Sequence, residues 1–107
     1  AMEEVDVWNV PTWQGKLHFT KTERAAMYNV KQWGFVDLFR KMNGDAQEFS
    51  WWNYREGAWQ RNRGLRIDYI WTSPSLAQKC TACHIDKAPR ALEKPSDHAP
   101  VVAEFVL

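Results

Sequence analysis

A single-domain α+β fold is predicted by three features of the 107 residues. One segment carries a complete helix start followed by helical apolar spacing. Several others are short, aromatic or β-branched, and bounded by Gly, Pro and Asn. At 12.6 kDa there is no room for a second domain. Composition is that of a globular chain, 45% hydrophobic and 25% charged without repeats or low-complexity runs. Disorder, collagen and coiled coil are therefore excluded. No apolar run approaches the roughly 18 residues of a membrane span. The acidic start, Ala1-Met2-Glu3-Glu4-Val5-Asp6, lacks the basic region of an export signal, so a cytoplasmic protein is expected.

Residues 1–19 contain Trp and Pro without a clear period and are expected to form an irregular arm. Thr20-Lys21-Thr22-Glu23 then fits the capping box, in which a hydroxyl and a Glu three residues later satisfy free amides. Ala26, Val30 and Trp33 share one helical face and Gly34 is a natural terminator, predicting a helix of about 13 residues over 21–33. Phe35 to Phe39 looks extended, and Asn43-Gly44-Asp45 marks a turn. Phe49 to Tyr54 favours strand, 55–64 a loop, and Leu65 to Thr72 a strand with Leu65, Ile67, Tyr69 and Trp71 on one face. Ser73-Pro74-Ser75 opens a short helical turn. Residues 79–86 look extended, 87–100 form a Pro-containing loop, and 101–107 close the chain as a strand.

Net charge is only +1, so charge balance alone makes no case for nucleic acid. Its distribution says more. Arg55, Arg61, Arg63 and Arg66 stand against Glu56, a local +3 with Trp59 among them, which suits either a phosphate-tracking surface or a solvated loop. Seven Trp exceed what a core this small can enclose, so several should meet a ligand or protein outside these residues.

Asp68, between Ile67 and Tyr69, is out of place in a strand and needs a partner. His98 is the best candidate, in Pro95-Ser96-Asp97-His98-Ala99-Pro100, where two prolines brace the loop. Such a pair is either structural or a carboxylate orienting an imidazole for catalysis. No Ser or Cys nucleophile motif, P-loop or Rossmann glycine pattern is present. A hydrolase would therefore use water and a divalent ion, for which Asp97 can supply one oxygen. Cys80-Thr81-Ala82-Cys83-His84 matches a haem-attachment pattern or half of a zinc site. No second Cys pair exists, every Met lies upstream, and strand alternation should send the two thiols to opposite faces, which argues against both. His18 and His84 have no partner motif and carry no assigned role.

Three stretches together resemble bacterial exodeoxyribonuclease III, the abasic-site endonuclease branch of the endonuclease/exonuclease/phosphatase superfamily. They are Phe49-Ser50-Trp51-Trp52, Asn62-Arg63-Gly64-Leu65-Arg66-Ile67-Asp68-Tyr69 and Glu93-Lys94-Pro95-Ser96-Asp97-His98-Ala99-Pro100-Val101, with Gly34-Phe35-Val36-Asp37-Leu38-Phe39-Arg40 as further support. The resemblance implies the C-terminal half of a four-layered α/β/β/α sandwich and a phosphodiesterase needing Mg²⁺ or Mn²⁺. Its substrate would be double-stranded DNA at abasic sites and 3′ ends. Carried over, Asp68 pairs with His98, His98 contacts the scissile phosphate and Asp97 lies by the metal. Trp51, Leu65 and Ile67 match the pocket for a flipped-out abasic sugar, with Trp51 also placed to wedge into the duplex. Arg61 and Arg63 are candidate phosphate contacts. The resembled family has more than twice this length, and its metal-binding Glu, active-site Tyr and Gly-Asp-x-Asn motif have no counterpart here. The expectation is a fragment inactive by itself, which pairs with the N-terminal half of the same enzyme or self-associates. The alternative is a non-catalytic DNA-binding remnant.

Overall fold

A computed structural model describes residues 1–92 and 95–107. Glu93 and Lys94, part of the third stretch above, lie outside the described residues. Among the described residues, four short α-helices and two two-stranded antiparallel sheets make an α+β arrangement. Residues 1–19, expected as an irregular arm, hold a 3₁₀ turn at Glu4–Asp6 and helix α1 at Val10–Trp13, with Asn9 accepting from the Thr12 amide. They are packed down: Met2, Asp6, Val7 and Phe19 are all buried.

Helix α2 spans Lys21–Lys31 and begins on the expected capping box. Thr20 Oγ accepts from the Glu23 amide at 3.1 Å, and Glu23 Oε1 accepts from the Thr20 amide at 3.1 Å. It ends two residues earlier than expected, on Gln32, and Gly34 follows with φ +110° where the chain reverses. The segment expected to be extended from Phe35 to Phe39 splits in two. Strand β1 covers Val36–Asp37 and helix α3 runs over Leu38–Asn43. Asp37 causes the break, because its carboxylate caps α3 through the Arg40 amide at 3.4 Å.

The stretch expected to be one strand from Leu65 to Thr72 is mostly irregular. It pairs through a bridge at Leu65 and through β2 at Trp71–Thr72, which lies antiparallel to β1. Its alternation fails at Arg66, which is 1% exposed. The guanidinium is held by Asp6 and Asp37 in four hydrogen bonds of 2.7–3.3 Å and lies between the Phe39 and Tyr69 rings. These bonds keep the Arg66 pKa above its ordinary value against the opposing effect of burial. The expected cluster of four surface arginines is therefore three, since Arg66 is consumed by two acids inside the protein.

Helix α4, Pro74–Ala77, starts at the Ser73 cap as expected. Strand β3, Cys80–Ile85, pairs antiparallel with β4, Val101–Phe105. A register shift between Cys80 and Ala82 changes the alternation there. Both cysteines consequently reach the core instead of opposite faces, a correction to simple strand geometry. Burial pushes the Cys83 thiol up to about 11, which keeps it protonated and unreactive near neutrality. Among the described residues no group of three His, Cys, Asp or Glu could hold a metal ion.

The main core gathers Leu38, Phe39, Phe49, Trp52 and Ile85. A second cluster of Val7, Phe19, Trp51 and Leu65 supports the segment that carries Asp68. Of the seven tryptophans, Trp51 and Trp52 are buried, Trp33 is 79% exposed, and the rest are half-buried. No helix among the described residues is long and apolar enough to cross a membrane.

Candidate functional site

Three stretches of chain converge at the site: 49–52, 65–68 and 96–99. Trp51 bridges Leu65 on one side and His98 on the other. Ser50 reinforces both joins. Its amide donates to the Leu65 carbonyl at 2.9 Å and its carbonyl accepts from the Ala99 amide at 2.7 Å. Its buried hydroxyl accepts from the amides of Ile67 at 3.0 Å and Asp68 at 3.1 Å. The Trp52 amide donates to the Asp97 carbonyl at 3.0 Å. Residues far apart in sequence are thus fixed by short, directional bonds.

Asp68 and His98 meet, as expected from their sequence context. His98 Nδ1 lies 2.8 Å from Asp68 Oδ2. A carboxylate can only accept, so Nδ1 carries the hydrogen and Nε2 is left as the working nitrogen. Both side chains are about two-fifths exposed, at 43% and 37%, so the pair faces solvent at its outer edge. Asp97 Oδ1 is 3.8 Å from His98 Nε2, and Asp97 Oδ2 accepts from the Trp51 indole N–H at 3.0 Å. The imidazole is therefore bonded to one carboxylate at Nδ1, with a second carboxylate nearby but beyond hydrogen-bond reach of Nε2. Such an arrangement can orient the ring and stabilise positive charge on it while Nε2 handles a proton or an anionic oxygen. A cavity beside it is lined by Asp68, Tyr69, Ser96, His98 and Pro100, among others.

The expected pocket residues sit together but in different roles. Leu65 has no exposed surface and acts from behind, supporting Trp51. Trp51 is itself buried, tied to Asp97 and packed edge-on against Trp13 at 6.0 Å and His18 at 5.1 Å. In this position Trp51 is 9% exposed. Ile67 is half-buried and lines a separate cavity of about 360 Å³ with His18, Met27 and Tyr69. Arg61 and Arg63 are exposed. The Arg63 guanidinium lies 4.9 Å from the Trp8 ring, bordering a cavity that Lys16 and Arg55 also line. The Asp68–His98 pair is not part of that cavity.

Two neighbours of the site had no signal in the sequence. Ser50 belongs to a quoted stretch, but only the fold shows its hydroxyl turned toward residue 68. His18, half-buried with φ +75°, reaches Trp51 through a turn that no pattern announces. Burial lowers its imidazole pKa below the ordinary value.

The profile of the endonuclease/exonuclease/phosphatase family matches residues 8–98, a span that includes both Asp68 and His98. This chain belongs to that family. Exodeoxyribonuclease III of Haemophilus influenzae is 48% identical over 92 residues, which are 85% of this chain and 34% of that protein. An exodeoxyribonuclease of Bacillus subtilis is 38% identical over 102 residues, 94% of this chain and 39% of that protein. Among solved structures, a 3′ phosphatase from Neisseria bound to a product DNA hairpin superimposes with a TM-score of 0.96 at 37% identity. It is covered over 42% of its length, against 100% of this chain. An AP endonuclease from Archaeoglobus fulgidus gives 0.94 at 37% identity, with the same coverage. These proteins share the DNase I-like fold, of which the described elements form a part. The chain spans only 34–42% of the length of these family members.

Proposed function

We propose that these residues form the Asp–His-bearing part of a DNA-repair phosphodiesterase acting at abasic sites and 3′ ends of double-stranded DNA. The observation that carries the proposal is the 2.8 Å contact between His98 Nδ1 and Asp68 Oδ2, with Asp97 near the opposite nitrogen. In this reading His98 Nε2 meets the scissile phosphoryl group, Asp68 holds the ring in one tautomer, and Asp97 sits on the metal side. Trp51 and Ile67, backed by Leu65, bound the space for an extruded sugar. An abasic site is the least costly nucleotide to extrude, because no base is unstacked. Arg61 and Arg63 contact backbone phosphates flanking the site. The cellular compartment that fits such a substrate is the bacterial cytoplasm.

Nucleases of this family depend on a divalent metal, and the proposal takes Mg²⁺ or Mn²⁺ as the ion. The described residues do not make a site for it by themselves. Asp97 offers one carboxylate with an oxygen already bonded to Trp51, and no cluster of three donors exists among the described residues. No chemical step is therefore assigned to the ion here. The 107 residues alone are proposed to be inactive, with the remaining ligands supplied by the N-terminal part of the enzyme. The same part would cover exposed apolar side chains such as Val106 and Leu107, which in isolation would favour self-association. The exposed Arg61 and Arg63 would equally serve a second reading, a DNA-binding remnant that does not cleave.

Incision of a duplex with one abasic-site analogue, measured with Mg²⁺ on the full encoded protein, separates the two. The catalytic reading expects His98→Gln to abolish incision while duplex binding stays near the parent value. Parent-like incision by His98→Gln overturns it. Binding without incision by the parent protein supports the remnant.

A further inference from the structure

We propose that Ser50 is the positioning residue for Asp68, and through it for the tautomer and orientation of His98. The inference rests on the catalytic reading of the Asp68–His98 pair given above. Asp68 lies in an irregular stretch: backbone bonds hold Arg66, whose amide donates to the Asp6 carbonyl at 2.8 Å, and Ile70, whose carbonyl accepts from the Leu38 amide at 3.1 Å, but among the described residues no ladder pairing covers Ile67 and Asp68. Something other than a sheet must hold the carboxylate in place. Ser50 Oγ accepts from two consecutive amides, Ile67 at 3.0 Å and Asp68 at 3.1 Å. A single oxygen thereby fixes the peptide plane that leads into the Asp68 side chain.

The other end of the pair is tied to the same residue. The Ser50 carbonyl accepts from the amide of Ala99, the residue after His98, at 2.7 Å. The backbone of the next residue, Trp51, bridges His98 directly. One side-chain oxygen and one carbonyl of Ser50 thus span the acid and the imidazole that must meet at 2.8 Å. Ser50 is buried, so it touches neither solvent nor substrate and can act only through its neighbours. Removing the hydroxyl leaves two part-buried amides without their common acceptor, which frees residues 67–68 to move.

The test is made on the full encoded protein by long-range ¹H–¹⁵N NMR of the His98 ring, assigned through its loss in His98→Gln. The parent should show the Nδ1–H tautomer, because Asp68 accepts from Nδ1. Asp68→Leu, which has no acceptor, provides the reference for a broken pair and should lose that preference. Ser50→Ala should move the signature toward that of Asp68→Leu, while Ser50→Thr, which keeps the hydroxyl, should retain the parent pattern. The exposed His84 should not change in any of these variants, which separates local displacement from general unfolding. If Ser50→Ala does not fold, Ser50→Cys keeps the volume, supplies only a weak acceptor, and carries the same comparison. A parent-like signature in Ser50→Ala, or in Ser50→Cys where that is used, overturns the positioning role while leaving the pair intact. A parent-like signature in Asp68→Leu overturns the pair and the positioning role together.

Discussion

Replacing Arg66 by Met tests whether the ion pairs beneath the site act as one unit. The guanidinium donates to Asp6 at 2.7 and 3.3 Å and to Asp37 at 3.1 and 2.7 Å. All three side chains are buried. Removing one partner of a buried pair costs about 3–5 kcal/mol, because the other charge loses its counter-ion. Here the loss is uneven. Asp6 keeps Arg40 at 2.7 Å, whereas Asp37 keeps only the Arg40 amide at 3.4 Å. The expected cost is therefore about 3 kcal/mol, the lower end of the range, most of it arising at Asp37. Combining Arg66→Met with Asp37→Asn removes the orphaned charge and should restore about half of that loss. Urea denaturation followed by tryptophan fluorescence gives both values, provided the slope stays constant. A single variant within about 0.5 kcal/mol of the parent, as for an ordinary surface change, would refute the reasoning. A double variant less stable than the single one would refute it equally.

Gly64→Ala should destabilise the site from behind. A Cβ there would lie 2.6 Å from Phe49 Cβ, 2.7 Å from Trp52 Nε1 and 2.8 Å from the Trp51 carbonyl oxygen. Overpacking of this kind costs roughly 1–3 kcal/mol, and the upper end is expected because one of the three contacts is backbone; denaturation at parent-like urea concentration would contradict it. His18 should give the stability curve an acid-side slope. Burial holds its folded-state pKa below the ordinary 6.5, so its contribution is complete above that value and is lost as pH falls toward the folded one. His18→Gln should flatten the curve below about pH 6.5, and an unchanged slope in that window would exclude the assignment.

What could be read from the sequence was whatever depends on neighbours along the chain. The Thr20–Glu23 capping box, the Ser73-Pro74 helix start and the extended character of 80–85 and 101–105 are written in adjacent residues. The Asp68–His98 contact was accessible because a carboxylate in a strand-like run demands a partner and a proline-braced Asp-His offers one. Arg66 misled because its environment is non-local: two acids, 60 and 29 residues earlier, neutralise it inside the protein. Asp37 misled because the same carboxylate that faces Arg66 also caps α3, ending the strand that the apolar residues suggested. The bond from the Trp51 indole to Asp97 had no local sign, and Ser50 was invisible for the same reason, since a hydroxyl gives no sign of which amides will turn toward it.

His98 sits where a long connection re-enters the sheet, and it is pinned independently of that connection. Trp51 bridges it, the Trp52 amide holds Asp97, and the Asp86 amide reaches across to the Pro100 carbonyl at 2.9 Å. Exposed positions of that connection, such as Ala91 and Leu92, can therefore change without shifting the imidazole, whereas the buried Arg90, which donates to the Trp52 carbonyl at 3.5 Å, is tied to the segment that bridges it. A lineage is free to rewrite those outer positions while inheriting the same Asp68–His98 geometry.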